Sequence, residues 1–257
     1  MLLPGSYANG FAPRDGQPLY PELWRGCVGA WNPGLGVSGL TLRDASGFNR
    51  HGTLTNGPTW AASGGKYAIS FDGVDDHIPT RIITATNQVT FAGWFRPNNV
   101  VTHQSICSDA NSAGAIINFH MEINPNGKLG LLWGASPYFR PEGSTLLSNQ
   151  VWYHGAVMRS GSSGAWTYKI YLNGKEDGSG SSSVNPGAAS TFTIGRPGEY
   201  SSQYLNATLD DIRIYNRALS PQEIRTLATR RGIAYEMAPR RRSSSAVTTK
   251  GLNMHPQ

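Results

Sequence analysis

At 257 residues, with 31 glycines, 16 prolines and only 15% charged residues, the chain suits one β domain of about 200 residues plus extra arms, its short strands joined by tight turns. No stretch approaches the roughly 20 apolar residues of a membrane span, and the two cysteines, Cys27 and Cys107, sit in no zinc or redox spacing. The net charge of +6 is uneven: residues 1–228 hold 16 Lys/Arg against 15 Asp/Glu, and residues 229–257 hold six against one, so the basic character belongs to the tail.

Residues 1–22 read as an extended arm, because Pro4, Pro13, Pro18 and Pro21 with three glycines forbid a helix and disfavour a sheet interior. The first residues lack the basic and apolar regions of a secretory signal. A first strand is expected over Leu23–Trp31, then a turn-rich loop over Asp44–Gly52. Further strands are predicted at Ala68–Phe71, His77–Pro79, Val89–Phe95, Ser105–Cys107, Ile116–Ile123 and Lys128–Trp133. Later ones fall at Val151–Met158, Trp166–Leu172, Thr191–Ile194 and Ala207–Tyr215. Asn173-Gly174 predicts a type I′ hairpin turn. Ser220, Pro221 and Glu223 supply an N-cap, a first-turn proline and a capping box for a helix running to about Arg230. Beyond it, residues 229–257 read as a basic tail.

Four motifs stand in order: Ser70-Phe-Asp-Gly-Val-Asp-Asp-His77, Val151-Trp-Tyr-His-Gly-Ala-Val157, Ile170-Tyr-Leu-Asn-Gly-Lys175, and Leu205-Asn-Ala-Thr-Leu-Asp-Asp-Ile-Arg-Ile-Tyr-Asn-Arg-Ala-Leu-Ser220. Together they resemble the laminin G-like, concanavalin A-like lectin-glucanase family over residues 23–228. The resemblance implies an all-β, two-layer antiparallel jelly-roll sandwich, with one short C-terminal helix and terminal arms outside it. Domains of this family with comparable arms occur in structural proteins of tailed phages, whose Arg-rich endings the tail resembles.

Relatives of this kind carry Ca²⁺ at the sandwich rim, and Asp44, Asp210 and Asp211 are the expected ligands, with Asn49 and Asp72 as further loop oxygens. On a strand Asp210 shares a face with Ile212 and Ile214, so backbone or hydroxyl donors at the strand end are the other way to satisfy it. Asp72-Gly-Val-Asp-Asp76 lacks the EF-hand register and reads as a corner turned by Gly73. A glycosidase needs two carboxylates flanking the scissile bond. Glu122 stands alone on its strand and Glu176-Asp177 lie in a hairpin flank, so no catalytic residue is expected. The six histidines show no metal-binding spacing.

Aromatic rings in loops and at strand ends are the remaining means of holding a sugar; Trp133, Tyr138, Tyr200 and Tyr204 are the expected carbohydrate contacts. Arg240, Arg241 and Arg242 are expected to dock a partner, without base-specific nucleic-acid recognition. The leading expectation is a non-enzymatic virion surface protein, a capsid decoration or fibre-type subunit in many copies. It would dock by its arms on a capsid or other virion protein and display the sandwich for weak glycan adhesion. A free-standing, extracellular carbohydrate-binding module is the alternative, and a glycoside hydrolase a third class.

Overall fold

The computed structural model describes residues 18–81, 87–110, 116–135, 138–188, 191–197 and 203–236. The first strands are β1 (Cys27–Trp31), β2 (Thr41–Leu42), β3 (Gly52–Thr53), β4 (Thr59–Ser63), β5 (Lys66–Asp72) and β6 (Ile78–Pro79). Next come β7 (Val89–Pro97), β8 (Gln104–Ala110), β9 (Ile116–Ile123), β10 (Lys128–Ala135) and β11 (Glu142–Leu146). The series closes with β12 (Tyr153–Ser162), β13 (Ala165–Leu172), β14 (Lys175–Ser182), β15 (Phe192–Ile194) and β16 (Asn206–Tyr215), followed by helix α1 (Pro221–Leu227).

Two antiparallel sheets form the body. One runs β14-β13-β12-β7-β16-β5-β4, with β1 also paired to β16; the other runs β11-β10-β9-β8-β15-β6. Period-two alternation separates their faces. Phe91, Val157, Ile170 and Ile214 of the larger sheet meet Phe119, Met121, Leu129, Leu131 and Phe192 of the smaller in one core. Strand β16 changes partners at a bulge: β5 pairs with Asn206–Leu209 and β1 with Ile212–Tyr215. At the break Asp211 has φ 48, so simple alternation fails there. Leu209, Ile212 and Ile214 enter the core, while Asp210 reaches Arg231 at 3.5 Å.

The predicted turn chemistry is present. Asn173 and Gly174 have φ 49 and φ 78, as a type I′ turn requires, and the Ser220–Glu223 capping box is complete in both directions.

Chain on both sides of the expected sandwich bounds, 23 and 228, packs onto the body. The outer face of the larger sheet carries Ala92, Ala156, Tyr171 and Tyr215, and onto it pack Leu23, Ile224, Leu227, Ile233 and Ala234. The helix stops at Leu227, short of Arg230, and Gly232 (φ 75) turns the chain into the 3-10 turn Ile233–Tyr235 that buries against this face. The expected first strand likewise begins only at Cys27, because Pro21–Trp24 forms a 3-10 turn whose Leu23 is buried. Leu19 N donates to Glu236 O at 2.7 Å and Trp24 Nε1 to Ala234 O at 2.9 Å. Both flanks therefore leave the body side by side, behind the larger sheet.

Trimming to residues 18–236 is expected to leave the melting temperature within about 2 °C of the full chain, since it keeps every contact described above. Trimming to residues 23–228 removes buried Ile233 and Tyr235 packing, about 2 kcal/mol per side chain, and should lower it by roughly 10 °C. Calorimetry of the three lengths checks this; equal melting of all three would show that the added turns contribute nothing.

Candidate functional site

Strand β9 turns a polar row outward. Asn118, His120 and Glu122 alternate with Phe119, Met121 and Ile123, which lie in the core. Across β8, Ser108 faces His120 and Ser105 faces Glu122; across β10, Leu132 faces His120 and Gly130 faces Glu122. Gly130 leaves the room this row needs, because a β-carbon there would stand 3.1 Å from Glu122 Cγ and 2.8 Å from Asn124 Nδ2.

Glu122 is 0% exposed and would be a costly charge without cations and donors around it. His103 Nε2 lies 2.7 Å from its Oε2, Arg140 Nε 3.2 Å from Oε1, and His120 Nδ1 3.6 Å from Oε2. Burial pushes this carboxyl up, but the His103 hydrogen bond and the fields of His120, His103 and Arg140 outweigh it and hold it below the usual range. Burial drives His120 the other way, down to about 4 against the pull of Glu122, so its imidazole is neutral at physiological pH. Its Nε2 is 2.9 Å from Ser105 Oγ. Its Nδ1, 3.6 Å from Glu122 Oε2, makes no hydrogen bond among the described residues, so Ser105, His120 and Glu122 are neighbours without the hydrogen-bonded base and carboxylate of an acyl-transfer triad. Ser105 is also 0% exposed and lies outside the cleft lining.

Beside this cluster opens a cleft of about 120 Å³. Ala110, Ile117, Leu132 and Pro197 form an apolar wall, and His120, Tyr138, Arg140 and Gln203 supply polar edges. Gln203 is set by its backbone, with φ 68 and a carbonyl that accepts from Ser105 N at 2.9 Å. The cleft lies on the outer face of the smaller sheet, and the two flanks leave behind the outer face of the larger one, so the sandwich separates them.

Residues 71–225 match the family described as the concanavalin A-like lectin/glucanases superfamily. The chain belongs to this superfamily. Among solved structures, domain 4 of the extracellular arabinanase AbnA from Geobacillus stearothermophilus, in complex with arabinotriose, is 24% identical, with 79% of this chain and 98% of that one covered at a TM-score of 0.62. The sialidase of Trypanosoma rangeli in complex with sialic acid is 18% identical over 79% of this chain and 33% of its own, also at TM-score 0.62. The binding domain of Paraclostridial Mosquitocidal Protein 1 is 16% identical over 80% and 52%, at TM-score 0.62. These likenesses establish the fold, and the chain spans about a third of the sialidase and half of the mosquitocidal chain. No curated protein sequence matches the chain.

Within this superfamily sandwich the expected site residues scatter. Trp133 is 0% exposed, donates from Nε1 to Val184 O at 2.7 Å and packs against Phe139 and Tyr168, so its ring faces are taken up by the protein and offer no surface to a sugar. Tyr138 does line the cleft. Tyr204 instead tilts against His77, 6.5 Å between centroids. Tyr200 and Arg240, Arg241 and Arg242 lie outside the described residues.

Of the expected calcium ligands, Asp44 and Asp211 hold donors of the chain itself, and Asp210 faces a cation. Asp44 accepts from Ala30 N, Ser46 N, Ser46 Oγ and Arg50 N, all within 2.9 Å, which makes it the organiser of its turn. Asp211 accepts from Arg213 Nε at 2.9 Å and Gly232 N at 3.1 Å, and Asp210 is paired with Arg231. The oxygen spacing of a calcium site appears at the Gly73 corner (φ +84), where Asp72, Asp75 and Asp76 bring one carboxylate oxygen each within 4.8 Å of one another. Of the cleft's polar residues only Tyr138 was expected. Asn118-Phe-His-Met-Glu carried the signal for His120 and Glu122, a polar face on an apolar strand. Arg140 and Gln203 come from connecting segments whose sequence carries no such pattern.

Proposed function

We propose that this protein is a non-enzymatic glycan-binding display module, held by its flanking arms to a particle surface such as a virion. The observation that carries this reading is the opposition of the two features: a lined cleft on one outer face, and both flanks leaving together behind the other. The lining supports a sugar, since an apolar wall and the Tyr138 ring suit ring C–H groups while Gln203 and Arg140 offer hydroxyl partners. AbnA domain 4 was solved with arabinotriose, which is consistent with such a role for this fold. Against hydrolysis stands the lining itself, which among the described residues contains no Asp or Glu, whereas hydrolysis calls for two carboxylates about 5–9.5 Å apart. Attachment falls to the Pro-rich residues before Leu19 and to Arg240, Arg241 and Arg242 in the sequence after Glu236. Many weak sites on one particle then act through effective concentration.

The test uses the full chain clustered on beads against an array of oligosaccharides. Retention is expected for a subset of glycans and should fall at least about tenfold in Tyr138→Ala, the change expected for a lost ring contact. Retention that is absent, or unchanged in that variant, would refute the cleft as a sugar site. Co-sedimentation with particles should be lost when residues 1–17 and 237–257 are removed; persistence would refute attachment by the arms.

A further inference from the structure

We infer that the cleft selects acidic sugars, gripping a uronic- or sialic-type carboxylate on the Nη1/Nη2 edge of Arg140. This inference rests on the glycan reading above and names the class of ligand. Three observations converge on it. First, Arg140 is oriented from beneath: its Nε faces Glu122 Oε1 at 3.2 Å, and Glu122 is itself immobilised by His103 at 2.7 Å. This ion pair draws the Nε side of the guanidinium toward Glu122 and leaves the Nη1/Nη2 edge for another anion. Second, the Arg140 side chain is 40% exposed and lines the cleft, and among the described residues no hydrogen bond engages Nη1 or Nη2. Third, among the described residues no Asp or Glu lines the cleft, and Glu122 beside it is wholly covered and faced by two histidines and Arg140. An incoming carboxylate therefore meets a planar two-donor fork with no exposed carboxylate among the described lining residues, the geometry that charge-assisted bidentate pairs use. Gln203 is placed to take a ring hydroxyl, and Leu132 with Pro197 and the Tyr138 ring to cover the apolar side of the sugar.

A neutral sugar would leave the fork unpaired, so discrimination between acid and ester forms of one sugar is the diagnostic quantity. Methyl glucuronide, methyl galacturonide and methyl N-acetylneuraminide, each beside its own methyl ester, and galactose 6-sulfate are titrated against the full chain by ligand-observed NMR. At least one acid is expected to bind about tenfold or more tighter than its ester, the size of a charge-assisted pair. Arg140→Gln should bring that acid down to the level of its ester, and Arg140→Lys, which keeps the charge without the fork, should recover only part. Thermal melting of each variant confirms that it remains folded. Esters binding as well as acids, or discrimination surviving in Arg140→Gln, would overturn the acidic-sugar inference and leave the glycan reading standing. Tighter binding of the sulfate than of every carboxylate would overturn the carboxylate assignment. If none of these sugars nor any array glycan binds, the glycan reading falls and this inference with it.

Discussion

Replacing Arg213 by methionine is expected to cost the fold about 3–5 kcal/mol, the range for stranding one member of a buried ion pair. Arg213 is 0% exposed, its Nε donates to Asp211 Oδ1 at 2.9 Å, and its guanidinium lies 4.7 Å from the ring centres of both Trp24 and Tyr235. Burial alone would drive its proton off, but the Asp211 carboxylate opposes this and holds the guanidinium well above its ordinary value. Methionine fills much of the volume yet leaves Asp211 without its cation and the two rings without the charge between them. The melting temperature should drop by roughly 10 °C, with increased proteolytic cleavage near Tyr235. Adding Asp211→Asn should restore part of the loss, because a neutral amide no longer needs the cation. A loss below about 1 kcal/mol, the scale of a surface pair, would show that the stacked cation is not what holds the two flanking turns.

The second large effect is pH-dependent. Asp210 is 1% exposed, among the described residues neither carboxylate oxygen has a well-formed hydrogen bond, and Arg231 faces it at 3.5 Å. Burial, reinforced by the neighbouring Asp211, pushes its carboxyl up from 3.8 to about 7 despite Arg231. The folded form therefore keeps a proton that the unfolded chain has released. Below pH 4 both states are protonated and nothing is lost; between pH 4 and 7 stability declines as pH rises; above pH 7 the full penalty is present. At about 1.4 kcal/mol per pH unit, that interval amounts to roughly 4 kcal/mol. Asp210→Asn removes the titration. Its melting temperature should track the wild type near pH 4 and exceed it by roughly 10 °C at pH 8. A stability gap that stays constant from pH 4 to pH 8 would rule out titration of Asp210 in this range.

The strands that sequence patterning found are those with a face in the core. Those it missed outside the small β2–β3 pair are instructive: β4 and β14 are the two edges of the larger sheet, and β11 is an edge of the smaller. Lys175–Ser182 is held mainly by backbone pairing to β13 and stays largely exposed, so it carries no apolar alternation, and the predicted Asn173-Gly174 hairpin marks its start but not its length. The Asp210–Asp211 bulge was hidden for a related reason. An aspartate can adopt positive φ, but nothing marks which one does until Arg213 and Gly232 place donors beside it. Trp133 was legible and misread. Leu129, Leu131 and Trp133 alternate into the core, and this periodicity outweighs the Gly-Ala-Ser-Pro segment that follows. The cleft was half legible: β9 announces a polar row, whereas Arg140 and Gln203 join it only through tertiary folding.

The bridge between Leu19 and Glu236 has a topological consequence. With entry and exit a single hydrogen bond apart, this sandwich can be spliced into a surface loop of a host polypeptide without prying that loop open. A short linker would equally close it into a ring, freeing new termini to be cut elsewhere. The geometry is that of a bead on a clasp, transferable between carriers with its opposite side left facing outward.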